Sequence, residues 1–133
     1  MKKTILVALA ALISLTVAAC GGGAEPSPTP TLPPQILEIS DVLQINIKDT
    51  ERGYVTCQVS VEVETAEELE VITYKEAQIC DIINTVLRAK TIDQLRAPDI
   101  LETLSTELVE KIAAELELAT LKDVYFKDFK TIA

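Results

Sequence analysis

Histidine is absent from this 133-residue chain, and so is tryptophan. Without histidine the usual general base near neutral pH is missing, together with the commonest zinc ligand. No Ser-His or Cys-His nucleophile pair can be assembled. Three Tyr and two Phe are the whole aromatic content, which is little material for lining a small-molecule pocket. Basic residues are few, 12 Lys and Arg against 21 Asp and Glu. The resulting negative field repels nucleic acid and anionic headgroups, and no basic stretch with interleaved aromatics offsets it. These absences predict a protein that is not an enzyme, with no cofactor, metal, nucleic acid or small-molecule substrate. The longest apolar run, Ile5 to Ala19, spans only 15 residues, short of the roughly 20 that cross a bilayer as a helix.

That run is nevertheless the most telling stretch. It follows Lys2-Lys3 and ends in Val17-Ala18-Ala19-Cys20. A basic start, an apolar middle and small residues before a cut are the parts of a secretory signal. A cysteine directly after the small pair makes it a lipoprotein signal. The Cys20 thiol takes diacylglycerol, and the peptide is cut between Ala19 and Cys20. The expected product is exported and held by an N-terminal lipid, on the outer face of the cytoplasmic membrane. Losing the two positive charges of Lys2 and Lys3 takes the formal net charge from −9 to −11. Gly21 to Pro34 (GGGAEPSPTPTLPP) contains nothing that forms a core. Its prolines favour extended polyproline II at roughly 3.1 Å per residue, which makes a tether of up to about 40 Å. The chain divides into residues 1–19 as signal, 20–34 as lipid-bearing cysteine and tether, and 35–133 as one folded domain.

Within that domain Leu43, Ile45 and Ile47 alternate with polar residues, the period of a half-buried strand. Asp49 to Gly53 (DTERG) carries turn chemistry. Val55, Cys57, Val59, Val61 and Val63 then alternate with Thr56, Gln58, Ser60, Glu62 and Glu64, a β-branched strand that completes an antiparallel hairpin. The period changes next. Ile72, Ile79, Ile82, Ile83, Val86 and Leu87 fall at helical spacing, which predicts a helix from about Glu67 or Val71 to Ala89. Thr91 to Leu95 reads as a short helical turn. Ile100, Leu101, Leu104, Leu108, Ile112 and Leu116 make a second amphipathic helix over about 99–117, with Pro98 tolerated at its start. Leu121 to Ile132 is aromatic and β-branched and reads as a strand that joins the hairpin, with Val124, Phe126 and Phe129 inward. The order β-β-α-α-β predicts an α+β fold, an antiparallel-rich sheet with two helices packed on one face.

Few groups in it suggest chemistry. Cys57 and Cys80 remain once Cys20 carries lipid, and two thiols outside the cytoplasm can pair. A bridge between them would close a loop of about 23 residues and add roughly 3 kcal/mol. The alternative is two separate thiols acting as small apolar side chains. Glu62, Glu64, Glu67, Glu68 and Glu70 crowd the join of strand and helix. A calcium loop needs alternating oxygens around a glycine turn. None is present, so these acids read as a solvated edge. Glu102, Glu107, Glu110, Glu115 and Glu117 read as the wet face of a helix, with Lys111 pairing one turn away on either side. Tyr125, Phe126 and Phe129 hold three of the five aromatic residues. They either fill the core or offer a partner a contact surface.

A run of ordered matches adds to this. Leu43-Gln-Ile-Asn-Ile47, Arg52 and Tyr54-Val55 resemble the first hairpin of the flagellar basal-body-associated FliL family, and Val59-Ser-Val-Glu-Val63 its second strand. Ile79-Cys-Asp-Ile-Ile83, Leu87, Lys90-Thr91 and Asp93-Gln-Leu95 resemble its helix and following turn. Leu104, Leu108 and Ile112 fall where its long helix sits. Asp123-Val-Tyr-Phe126 with Phe129 is similar to its closing strand, with Lys127 in place of a threonine. The resemblance implies a stomatin-like extracytoplasmic domain without enzymatic activity. It also implies contact with the stator units of the flagellar motor, self-association into homo-oligomers and a role in motility. Family members usually enter the membrane by an N-terminal helix, where this chain has a lipoprotein signal. The residues alone leave a second function open, an anchored binding or scaffold module of the envelope unconnected with flagella.

Overall fold

The computed structural model describes residues 33–39 and 41–133. The signal, the Ala19–Cys20 cut, the lipid-bearing Cys20 and nearly all of the tether lie outside the described residues. Eight elements follow in order: β1 (Gln35–Glu38), β2 (Leu43–Asn46), β3 (Tyr54–Val63), α1 (Ala66–Tyr74), α2 (Glu76–Arg88), α3 (Ile92–Leu95), α4 (Ile100–Leu116) and β4 (Leu121–Ile132).

Strand β3 is the centre of a wholly antiparallel sheet. Along one side β4 pairs with it from Tyr54 to Val63. Two short strands share its other side, β2 opposite Tyr54–Cys57 and β1 opposite Ser60–Val63. The alternation read from the sequence holds: Val55, Cys57, Val59, Val61 and Val63 are each no more than 1% exposed. Strand β1 is an addition to the expected order. It is four residues long, follows Pro33-Pro34, and sends Leu37 inward with Ile39 just beyond it. Between β2 and β3 the link closes tightly, because the Gly53 N–H donates to Thr50 Oγ1 at 2.6 Å. A Cβ on Gly53 would lie 1.9 Å from that oxygen, so a side chain there forces Thr50 aside.

The helices cover one face of the sheet, α1 near β1, α2 over β2 and α4 along β4. Their buried residues, including Ile72, Ile79, Ile83, Leu87, Leu104, Leu108 and Ile112, close a single core with no buried polar or charged residue among those described. The first long helix expected from the sequence is two helices, broken at Lys75 (φ −98°, ψ 18°). Ile72 and Ile79 stand seven residues apart, which is roughly 700° around a helix and returns to nearly the same face. Apolar periodicity therefore runs straight through the break. Helix α3 is held by a full capping box, in which Thr91 Oγ1 accepts from the Gln94 N–H and Gln94 Oε1 accepts from the Thr91 N–H.

Candidate functional site

Strand β4 is an edge strand: among the described residues it pairs with β3 alone. Its register against β3 shifts twice, at Lys122 and where Asp128 and Phe129 both lie opposite Cys57. The second shift is a bulge with Asp128 in left-handed backbone (φ 53°), a conformation Asp tolerates better than most side chains. Residues three apart on a regular strand point to opposite faces. The extra residue brings Phe126 and Phe129 to the same face, where their rings meet edge to face with centroids 5.8 Å apart. Both pack against the core.

The three clustered aromatics thus divide. Phe126 and Phe129 are half-buried, whereas Tyr125 points to the other side and is 45% exposed. Its hydroxyl donates to Glu62 Oε2 at 2.5 Å. That carboxylate acceptor, with a smaller contribution from desolvation, pushes the phenol up to about 12.

Between β4 and α4 runs a groove of about 630 Å³. Leu101, Ser105 and Val109 line its helix wall at successive turns, while Glu102, Thr106 and Glu110 form its outer lip. Lys122 to Phe126 form the strand wall. Leu101 is 42% exposed there. Ser105 Oγ donates to Asp123 Oδ1, and the Val124 N–H donates to the same oxygen at 2.8 Å. A backbone amide and a helix hydroxyl sharing one carboxylate oxygen place that amide on the groove side of β4. The acidic lip continues onto a neighbouring hollow lined by Asp99, Thr103 and Glu107 besides Glu102, Thr106 and Glu110. Lys90 Nζ reaches Glu107 Oε2 at 2.6 Å and ties the loop before α3 to this helix.

The five acids around the join of β3 and α1 are not all solvated. Thr65 and Glu68 have the spacing of a capping box, and Thr65 Oγ1 does accept from the Glu68 N–H at 3.2 Å. The Glu68 carboxylate turns the other way. It accepts from the backbone N–H groups of Ala119 (2.9 Å) and Thr120 (3.1 Å) and from the Thr120 hydroxyl. Glu68 thereby fixes the turn that launches β4. The Thr-x-x-Glu spacing was the available signal, and it pointed to the wrong partner.

Cys57 and Cys80 are both free thiols, the first buried in β3 and the second half-buried on α2. Burial pushes Cys57 up to about 11. Cys80 is also raised, by desolvation first and then by the charges of Glu76 and Asp41. Neither environment activates a thiolate. Among the described residues no three carboxylate or thiol groups come together to hold a metal ion, and no helix is long and apolar enough to cross a membrane.

Two comparisons bear on this arrangement. The family described as flagellar basal body-associated protein FliL matches residues 36–131, from β1 to the end of β4. Flagellar protein FliL of Aquifex aeolicus (strain VF5) is 29% identical over 86 residues, which is 64% of this chain and 53% of that relative. The chain spans about half the length of the curated relative it matches.

Proposed function

This chain belongs to the FliL family of flagellar basal body-associated proteins, and from that premise we propose that it is a lipid-anchored, extracytoplasmic accessory of the flagellar motor. It works by docking, to stator units and to further copies of itself, in support of motility. One observation carries most of this reading: the family match runs across the entire folded unit. What precedes the match is Val17-Ala18-Ala19-Cys20 and a proline-rich tether, an anchor in place of a membrane-spanning helix.

The groove fits a docking role. It is open, it carries apolar side chains at its helix wall, and its rim is acidic. A thioether-linked diacylglycerol at Cys20 supplies membrane hold, its two acyl chains meeting the need of stable anchoring for more than one hydrophobic chain. The tether then sets the domain's working distance from the bilayer.

Deleting the gene in its host and scoring swimming and swarming tests the motor role. Reduced motility, together with crosslinks from the domain to stator proteins, is the expected result. Normal motility with no such crosslink overturns it. Cys20→Ser tests the anchor separately: the variant loses lipid label and, because the cut follows acylation, keeps its signal and runs larger than the mature chain. A variant that stays membrane-bound and unchanged in size refutes the lipid attachment.

A further inference from the structure

We propose that the groove beside β4 takes an extended, basic segment of a partner protein, which pairs with β4 as an added strand beneath helix α4. This deepens the docking reading above and rests on it for the idea that the domain binds protein, while the kind of segment is argued from the groove itself.

The backbone comes first. An edge strand offers unpaired N–H and C=O groups to another chain. The Val124 amide faces the groove and is met there by Asp123 Oδ1, an acceptor standing where the carbonyl of a pairing strand would come. In an antiparallel or parallel ladder every second residue turns its amide to the same side, so Phe126 presents its own two positions on. The register shifts at Lys122 and at Asp128–Phe129 bound this regular stretch. Bulges and edge lysines are the devices that keep a strand from pairing indiscriminately, and here the Asp128 bulge and Lys130 occupy the far part of β4. The free run is Asp123 to Lys127, long enough for a segment of five residues.

The side chains specify that segment further. A strand laid on β4 continues the sheet under the helix wall of the groove. Leu101 and Val109 are eight residues apart, about 12 Å along the helix axis. Two residues four apart in an extended segment are about 13 Å apart and point to the same face. Apolar side chains at the first and fifth positions therefore meet Leu101 and Val109. The third position lies opposite Ser105 and Thr106. Glu102 and Glu110 stand one helical turn to either side of Thr106, so a cation there sits between two carboxylates. Asp123, freed from the Val124 amide by the incoming carbonyl, adds a third. Lys122 is the one base lining the groove, and the adjoining Asp99 and Glu107 extend the negative rim. A second copy of the mature chain is a poorer match, because it brings a net charge of −11 toward the same acids.

Amide NMR on the full mature chain in detergent micelles tests this, with the peptide acetyl-Val-Thr-Lys-Thr-Val-amide as probe. The expected result is saturable shifts at Val124, Phe126, Leu101 and Val109. Replacing the probe's lysine by glutamate weakens binding at least tenfold. The surface double variant Glu102→Gln, Glu110→Gln weakens the lysine probe at least fivefold and leaves the spectrum otherwise folded, whereas Glu115→Gln leaves binding unchanged. The proposal is overturned by no saturable shift with the lysine probe, by equal binding of the two peptides, or by shifts that map elsewhere. Shifts of the same amides with chain concentration alone also overturn it, and assign the groove to a second copy. The assay uses no cells, so its failure leaves the motor role to be judged by motility.

Discussion

A thiol at the centre of an apolar sheet has no water to ionise into. Cys57 is 0% exposed, and burial holds its proton from the ordinary 9.0 to about 11. The unfolded chain gives that proton up near pH 9. Between pH 9 and pH 11 the folded state therefore binds more protons than the unfolded state, and stability falls as pH rises through this window. At about 1.4 kcal/mol per pH unit the loss is roughly 2–3 kcal/mol. Urea unfolding at pH 8 and pH 11 should record it. Cys57→Ala starts less stable, from the cavity it leaves, but loses less between the two pH values. An identical loss in both chains would show that Cys57 keeps its proton no longer when folded than when unfolded.

At the scale of elements, β4 shows how one extra residue decides a face. Its inward residues before the bulge are Val124 and Phe126, and after it Phe129 and Thr131. Deleting Asp128 alone leaves Phe129 two positions after Phe126 and still inward, whereas deleting Lys127 and Asp128 together makes the two rings adjacent in sequence and turns Phe129 through to the solvent side. The aromatic pair at 5.8 Å is then broken, and the ring leaves the core. A cost of about 2–4 kcal/mol is expected, the range for removing a large core side chain with its aromatic contact. Asp128→Gly keeps the residue count and suits the left-handed backbone, so it should hold or gain up to about 1 kcal/mol. Thermal unfolding of the two variants separates these outcomes. Equal stability of the double deletion and the parent would mean that the spacing of the two rings does not set the face of Phe129.

Much of this architecture was legible in the residues because strands and helices announce themselves by period. Ten residues of β-branched alternation gave β3, and the 3.6-residue spacing of Leu104, Leu108 and Ile112 gave α4. Strand β1 stayed hidden because four residues offer only two alternations. The break at Lys75 stayed hidden because seven residues nearly complete two turns. The groove was not legible at all. It is a gap left between two consecutive elements, whose width no periodicity records, and the Glu68 clamp on Ala119 reaches across 51 residues.

For the whole molecule, three cysteines give a compact test of the chain's covalent state. On the proposed lipid attachment Cys20 is a thioether, silent to thiol reagents, while Cys57 and Cys80 are free. The mature protein, denatured without reductant, should therefore show two titratable thiols. Three would remove the lipid, and none would mean a Cys57–Cys80 bridge.

The shared edge of β3 carries one more implication. The chain enters the sheet through β1, held to β3 by four residue pairs and, just beyond them, by the Ile39 N–H donating to the Val59 carbonyl at 3.0 Å. If the proposed anchor holds the chain, any pull from the bilayer arrives at Gln35 and loads that short strand first, well before β2 or β4 feels it. Leu37 and Ile39 are the side chains that would peel out with it. A module beside a rotating machine would then yield at its leash by a reversible slip of one strand, and the rest of the body would keep its grip on whatever it holds.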